Sequence, residues 1–288
     1  MDSILSAQDL QALKQAKQRL EHAGLAVKLA GLLGTPFEKL LTYLPASANE
    51  LVLGVSRTAL EKCLSLALRT LDRQSLETPA PHNRWHKLAV ATTGAAGGAF
   101  GLLALPIELP LTTTVMFRSI CDIARSEGES LESLDTGLQC LLVFAMGGPA
   151  RSASQPFNAD ADAGSVAMHG NGDLQDDAPF GYFVVRSAMA QAVSQASAEL
   201  VARNAGHHGG AMLGRFVQAV ASRFSAQVGE QIAARSLPVI GAVMGAAANT
   251  VFIGHFQDIA QGHFTVRRLE RKYGEAVIRE QYAALPTP

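Results

Sequence analysis

From Leu13 the apolar residues fall at Leu13, Ala16, Leu20, Ala23, Val27 and Ala30, alternately three and four apart, with Lys14, Lys17, Arg19, Glu21 and Lys28 between them. This spacing keeps one face apolar and predicts an amphipathic helix, which either packs on the protein's own core or docks on a membrane surface or partner. A second helical pattern runs through "ANELVLGVSRTALEKCLSLALRTL", and "DRQSLETPAPHNRWH", with Pro79 and Pro81, interrupts it. On pattern alone the chain divides into an N-terminal helical region over 1–72, a connection at 73–83 and a main helical body over 84–285.

The main body opens with "AVATTGAAGGAFGLLALPIELPLTTTVMF", in which Glu108, between Pro106 and Pro110, is the only charge. "RSICDIARSEGESLESLDTGLQCLLVFAMGG" follows, with Ser133 or Asp135 placed to cap a helix ending at Gly147 and Gly148. The segment 151–178, rich in Ala, Gly, Ser and Asp, reads as a mobile acidic loop. Two further helices are expected in "FGYFVVRSAMAQAVSQASAELVARNAG" and "FVQAVASRFSAQVGEQIAARS". A second uncharged run, "LPVIGAVMGAAANTVFIGHFQ", then leads into the charged amphipathic helix "DIAQGHFTVRRLERKYGEAVIREQYAAL". No segment alternates with period two over a strand's length, so the fold class is all-α, a multi-helix domain with small-residue helix hairpins. "FRSICDIA" and "IGHFQDIA" share Asp-Ile-Ala after an uncharged run, which raises an internal repeat as a possibility.

Gly97 and Gly101, like Gly241 and Gly245, stand four apart and offer grooves for close helix pairing or for oligomers. Each uncharged run is long enough to cross a bilayer, but Ala, Gly and Thr insert poorly and Asn249 lies within the second. Core helices and inserted hairpins both remain open. Glu108 has three readings: a cap on a helix beginning near Pro110, a partner of a buried Arg such as Arg118, or a desolvated carboxyl acting as a proton or cation ligand.

Composition narrows the classes. The 288 residues are 48% hydrophobic but only 6% aromatic, with 26 Gly and 17% charged residues, so the apolar content is small-residue bulk suited to close helix packing. A net charge of -1 excludes a globally basic nucleic-acid binder. Cys63, Cys121 and Cys140 are scattered and odd in number, which predicts reduced buried thiols. The start, "MDSILSAQDL", lacks the basic and apolar pattern of a secretory signal, and a cytoplasmic location is expected.

Chemical motifs are few. Asn158, Asp160 and Asp162 have the opening spacing of a calcium loop, but Gly164 falls one place late and His169 stands where the bidentate Glu belongs. His207 and His208, or His82 and His86, have no third ligand nearby, so no metal and no cofactor is expected. No nucleophile elbow, zinc-protease motif or phosphate loop is present in the sequence. Arg267, Arg268, Arg271 and Lys272 cluster after the second run, either facing anionic headgroups or forming a solvated helix bridged by Glu270 and Glu275.

"ALPIELPLTTTVMFRSICDIARSEGE", "GYFVVRSAMAQAV" and "LPVIGAVMGAAANTVFIGHFQDIAQGHFTVRRLERKYG" together resemble the EcsC family of bacterial proteins over roughly residues 80–285. The resemblance implies a helical, membrane-associated accessory protein linked by gene neighbourhood to an ABC-type exporter, and it carries over no catalytic residues. The expectation is a non-enzymatic binding module at the inner face of the cytoplasmic membrane, with a membrane surface or membrane-protein partner. Its candidate residues are Glu108, Arg118 and Asp122 after the first run and Asn249, Asp258, Arg267 and Arg268 after the second. Two rivals stand beside it: a peptidase-like hydrolase drawing an acid/base pair from Glu108, Asp122, Asp258 and His255, and a soluble helical scaffold.

Overall fold

The computed structural model describes residues 5–21, 24–33, 48–71, 105–147, 181–204, 211–235 and 242–286. Among them the fold is all-α: α1 (Ala7–Glu21), α2 (Leu25–Leu33), α3 (Ala48–Leu71), α4 (Leu105–Ser126), α5 (Leu134–Met146), α6 (Gly181–Asn204), α7 (Ala211–Arg235), α8 (Ala242–Tyr273) and α9 (Glu275–Ala284). The acidic segment 151–178, the pairs His82/His86 and His207/His208, the calcium-like Asn158–Asp162 stretch and glycines 97, 101 and 241 lie outside the described residues.

Three expected boundaries change. The amphipathic pattern from Leu13 to Ala30 is two helices, α1 and α2, rather than one. The second uncharged run and the charged helix after it form one element, α8, of 32 residues, about 48 Å at helical rise. It stops where Gly274 takes φ +93, a conformation open to glycine, and α9 begins at Glu275. α4 begins at Leu105 and runs through Pro110, so no new helix starts near Pro110. Pro106, in the first turn, lacks an N–H that has no intrahelical partner there anyway, and Pro110 removes a single bond to the carbonyl of Pro106.

α8 is the axis of the bundle. α1, α2, α4, α5, α7 and α9 all pack against it, and from Phe252 to Leu269 most of its side chains are buried regardless of helical face. A helix enclosed on nearly every face lies at the centre of a core. Phe144, Phe224, Phe252 and Phe256 form its aromatic heart, with ring centroids 5.0 to 6.2 Å apart. One apolar cluster contains Leu25, Leu29, Val52 and Leu60 together with side chains of α4 to α8, so the core is continuous across the sequence division at 73–83.

α4 and α8 run parallel in one register. Ser119 meets Gln257, Glu127 meets Thr265 and Glu129 meets Arg267, each pair 138 residues apart in sequence. The two uncharged runs therefore lead into neighbouring helices from the same end. Asp122–Ala124 and Asp258–Ala260 lie within two residues of this register, each with Ile and Ala buried and Asp partly exposed.

The three cysteines are free, as expected of reduced thiols, but they are not scattered in space. Burial pushes both the Cys140 and the Cys63 thiols up, and Cys121, beside both, adds to each rise.

α1 crosses α8 at Gly262, where an added Cβ would stand 2.6 Å from Leu20 Cγ and 3.1 Å from the Ala16 carbonyl. We expect Gly262→Val to destabilise the protein by about 1–3 kcal/mol in chemical denaturation, through overpacking that the Ala16 backbone cannot relieve. A variant as stable as the parent would mean that the α1–α8 contact is loose.

Candidate functional site

At the end of α4 the chain forms a Schellman turn. Glu129 N–H donates to the Ala124 carbonyl and Gly128 N–H to that of Arg125, with Gly128 at φ +82. The turn presents Glu127 and Glu129 to the last turns of α8. Glu129 accepts from Arg267 Nε at 2.8 Å and also from Arg271, while Arg267 Nη2 reaches Asp135 at 2.8 Å. Glu127 accepts from Arg268 Nε at 2.7 Å. From α1, Asp9 accepts from Lys272 at 2.7 Å and Tyr273 Oη at 2.7 Å, and from Arg268 at 3.4 Å. Four cations thus face four carboxylates, and the clamp is electrically balanced.

This corrects the expected bridging of the basic cluster by its own helix. Glu270 turns instead to Arg186 on α6, in a bidentate pair at 2.7 and 2.8 Å, and Glu275 is exposed. Of the partners that matter, Asp9, Glu127, Glu129 and Arg186 were not singled out in the sequence, and Asp135 was read only as a helix cap. The signal available was Gly128 flanked by two Glu residues, a helix end that aims acids at a neighbour.

A buried polar seam continues from the clamp. Gln139 donates to Asp135 at 3.4 Å and accepts from His263 Nε2–H at 3.2 Å, which leaves Nδ1 to accept from Tyr182 Oη–H at 2.9 Å. Burial holds His263 neutral, well below its ordinary pKa. His255 is likewise buried and brought down to about 4, and its Nε2–H donates to the Gly147 carbonyl at 2.8 Å. Gln231 donates to Asn249 at 2.8 Å. Glu230, near them on α7, is pushed up to about 7 by burial.

The predicted residues therefore separate. Glu108 lies in the first turn of α4, partly buried, where the helix dipole favours a carboxylate, and it is inside the helix rather than capping one from outside. Arg118 is exposed and ten residues further along the same helix, about 15 Å away at helical rise, so it is not the buried partner envisaged for Glu108. Asp122 is partly exposed, and Asn249 and His255 are tied into the core. Asp258 meets Lys28 at 3.3 Å in a groove that contains neither His255, Glu108 nor Asp122. Ser133 stands at the N-cap of α5 without a side-chain capping bond. Among the described residues no group of three His, Cys, Asp or Glu could hold a metal ion.

The opposite end of α4 is apolar and open. Ile107 is 79% exposed and Leu111 52%, one turn apart and flanking Glu108. Among the described residues, no helix is long and apolar enough to cross a membrane.

An all-α bundle of this kind, built on a buried axial helix and a charged clamp, is the architecture the family comparison applies to. The EcsC protein family model matches residues 7–269, and the chain belongs to that family. The match begins at α1, well before the span of the resemblance read from the sequence, and takes in Arg267 and Arg268 of the clamp but stops short of Arg271 and Lys272. No curated protein and no solved structure matches the chain.

The carboxylates of Asp9 and Glu129 are both held below their ordinary values: Asp9 by hydrogen bonds from Lys272, Tyr273 and Ser6 together with the Lys272 charge, and Glu129, against its own burial, by Arg267 and Arg271. Groups depressed in the folded state stabilise it fully above their unfolded pKa values and lose that contribution as pH falls through the folded ones. We expect the urea midpoint to drop as pH falls below about 4.5, the ordinary Glu value, and to drop less steeply in Arg267→Gln. At pH 7 that variant should lose about 1–3 kcal/mol, because Glu129 keeps only Arg271 of its two guanidinium partners and Asp135 loses its bond from Arg267. Equal acid slopes in the two proteins would remove the clamp from the account.

Proposed function

We propose that this EcsC-family chain is a non-enzymatic helical accessory protein that works at the cytoplasmic face of a membrane, docking through the open end of α4. The exposure of Ile107 and Leu111 beside Glu108 carries this reading. An apolar patch continuous with an uncharged stretch of sequence is costly to leave in water, and it gains free energy at a lipid surface or against a membrane protein. The parallel register of α4 and α8 strengthens it, since both uncharged runs lead to that end. The clamp argues against docking by the basic cluster: its charges are already neutralised, and anionic lipid would have to compete with carboxylates that are prepaid in geometry. The exporter link implied by the family resemblance supplies a kind of membrane-protein partner for the same end.

The expressed protein should appear in the membrane fraction and float with vesicles of phosphatidylethanolamine and phosphatidylglycerol. Ile107→Ser/Leu111→Ser should cut the floated fraction at least fivefold without changing the melting temperature, and Arg271→Gln/Lys272→Gln should leave it within twofold. A parent protein found wholly in the soluble fraction, with no flotation, overturns the proposal.

A further inference from the structure

The close α1–α8 crossing at Gly262 has a second consequence one turn up, at Asp258. There α1 presents Gln15, Gln18 and Arg19, α2 presents Lys28, and the three helices enclose a groove of about 330 Å³. Gln15, Gln18 and Arg19 are spaced three and four apart and share a helix face. Lys28 contacts Asp258 at 3.3 Å, a single, half-exposed ion pair. Arg19 brings a second positive charge, so the lining carries two cations against one carboxylate. Its donors outnumber its acceptors: five N–H groups on the guanidinium, three on the ammonium and two on each carboxamide, against two carboxamide oxygens and one carboxylate already engaged by Lys28.

Such an excess of donors suits a tetrahedral oxyanion. The planar fork of Arg19 matches two phosphate oxygens, Lys28 adds a point charge, and the two carboxamides can donate to the remaining oxygens or to hydroxyls of an attached group. The volume is at the small end of ligand sites and exceeds the needs of a bare ion. We propose that this groove binds a phosphate monoester, with Arg19 and Lys28 holding the phosphate and Gln15 and Gln18 the adjoining polar group. The position is about 20 Å along α4–α8 from Ile107, by helical rise, and so is separate from the docking end proposed above. The phosphate can belong to a soluble metabolite or to the headgroup of a lipid, and the test distinguishes the two.

Glycerol 3-phosphate is titrated calorimetrically into the full-length protein at low salt, beside glycerol as the neutral control. The expected result is saturable binding of the phosphate ester alone, weakened at least tenfold in Arg19→Gln/Lys28→Gln and unchanged in Arg57→Gln, which removes a surface Arg paired with Glu61 elsewhere. Unchanged melting temperatures show that the variants fold. Vesicles of phosphatidylcholine containing one tenth phosphatidic acid are then added as competitor. Displacement of the ester assigns the site to a lipid phosphate, and no displacement assigns it to a soluble ester. No binding of glycerol 3-phosphate, or equal binding by the double variant, overturns the proposal, and neither result depends on whether Ile107 and Leu111 dock on a membrane.

Discussion

Glu129 and Arg267 meet at 2.8 Å because a left-handed glycine turns the chain out of α4 at the height where α8 ends its buried course. That contact fixes the register of the two parallel helices, and much else follows from the register. It aligns Ser119 with Gln257 two turns below, and the parallel course starts α4 and α8 from the same end. Parallel neighbours need a long return path, which the chain supplies through α5, α6 and α7. An ion pair with Glu129 almost wholly shielded is a poor source of net stability, but its loss would leave the carboxylate with Arg271 as its one guanidinium partner. Its contribution is therefore positional: it penalises other alignments of the two helices more than it deepens this one.

A central helix enclosed on nearly every face must satisfy its polar groups internally. α8 does so by keeping both histidines neutral and giving each a carbonyl acceptor, the Gly147 backbone for His255 and the Gln139 carboxamide for His263. The low pKa values of both rings follow from burial. Both nitrogens of His263 are engaged, and His255 is held against the Gly147 backbone. The charges of α8 itself lie in its last turns and at Asp258, on the α1–α2 side.

The helical class was legible from periodicity alone, and so were the end of α5 at Gly147 and the reduced state of the cysteines. The unity of α8 was not, because a change from uncharged to charged composition looks like a boundary, whereas the backbone continues until Gly274 offers a conformation that breaks it. Pro110 misled for a related reason: proline near a helix start removes few bonds, and the pattern could not say how far upstream the helix began. The partners of Arg267 and Arg268 were hidden by sequence distance. Local spacing pointed to Glu270 and Glu275, but pairing with Glu127 and Glu129 spans 138 to 142 residues and depends on a turn whose direction only tertiary packing sets. Glu108, conspicuous as a lone charge, proved to be a first-turn carboxylate between two exposed apolar side chains.

The molecule has two unlike ends: an apolar one at the start of α4 and a neutralised, charged one at the close of α8, roughly 30 Å apart by helical rise. The central functional claim is that the apolar end meets the membrane. The most direct measurement places a bimane fluorophore on a cysteine at position 107 or, separately, at position 271, and records quenching by bilayers of brominated lipid. Strong quenching at 107 with little at 271 is predicted. Quenching at 271 with none at 107 would contradict the account, because it would put the clamp against the lipid and the open end of α4 in water.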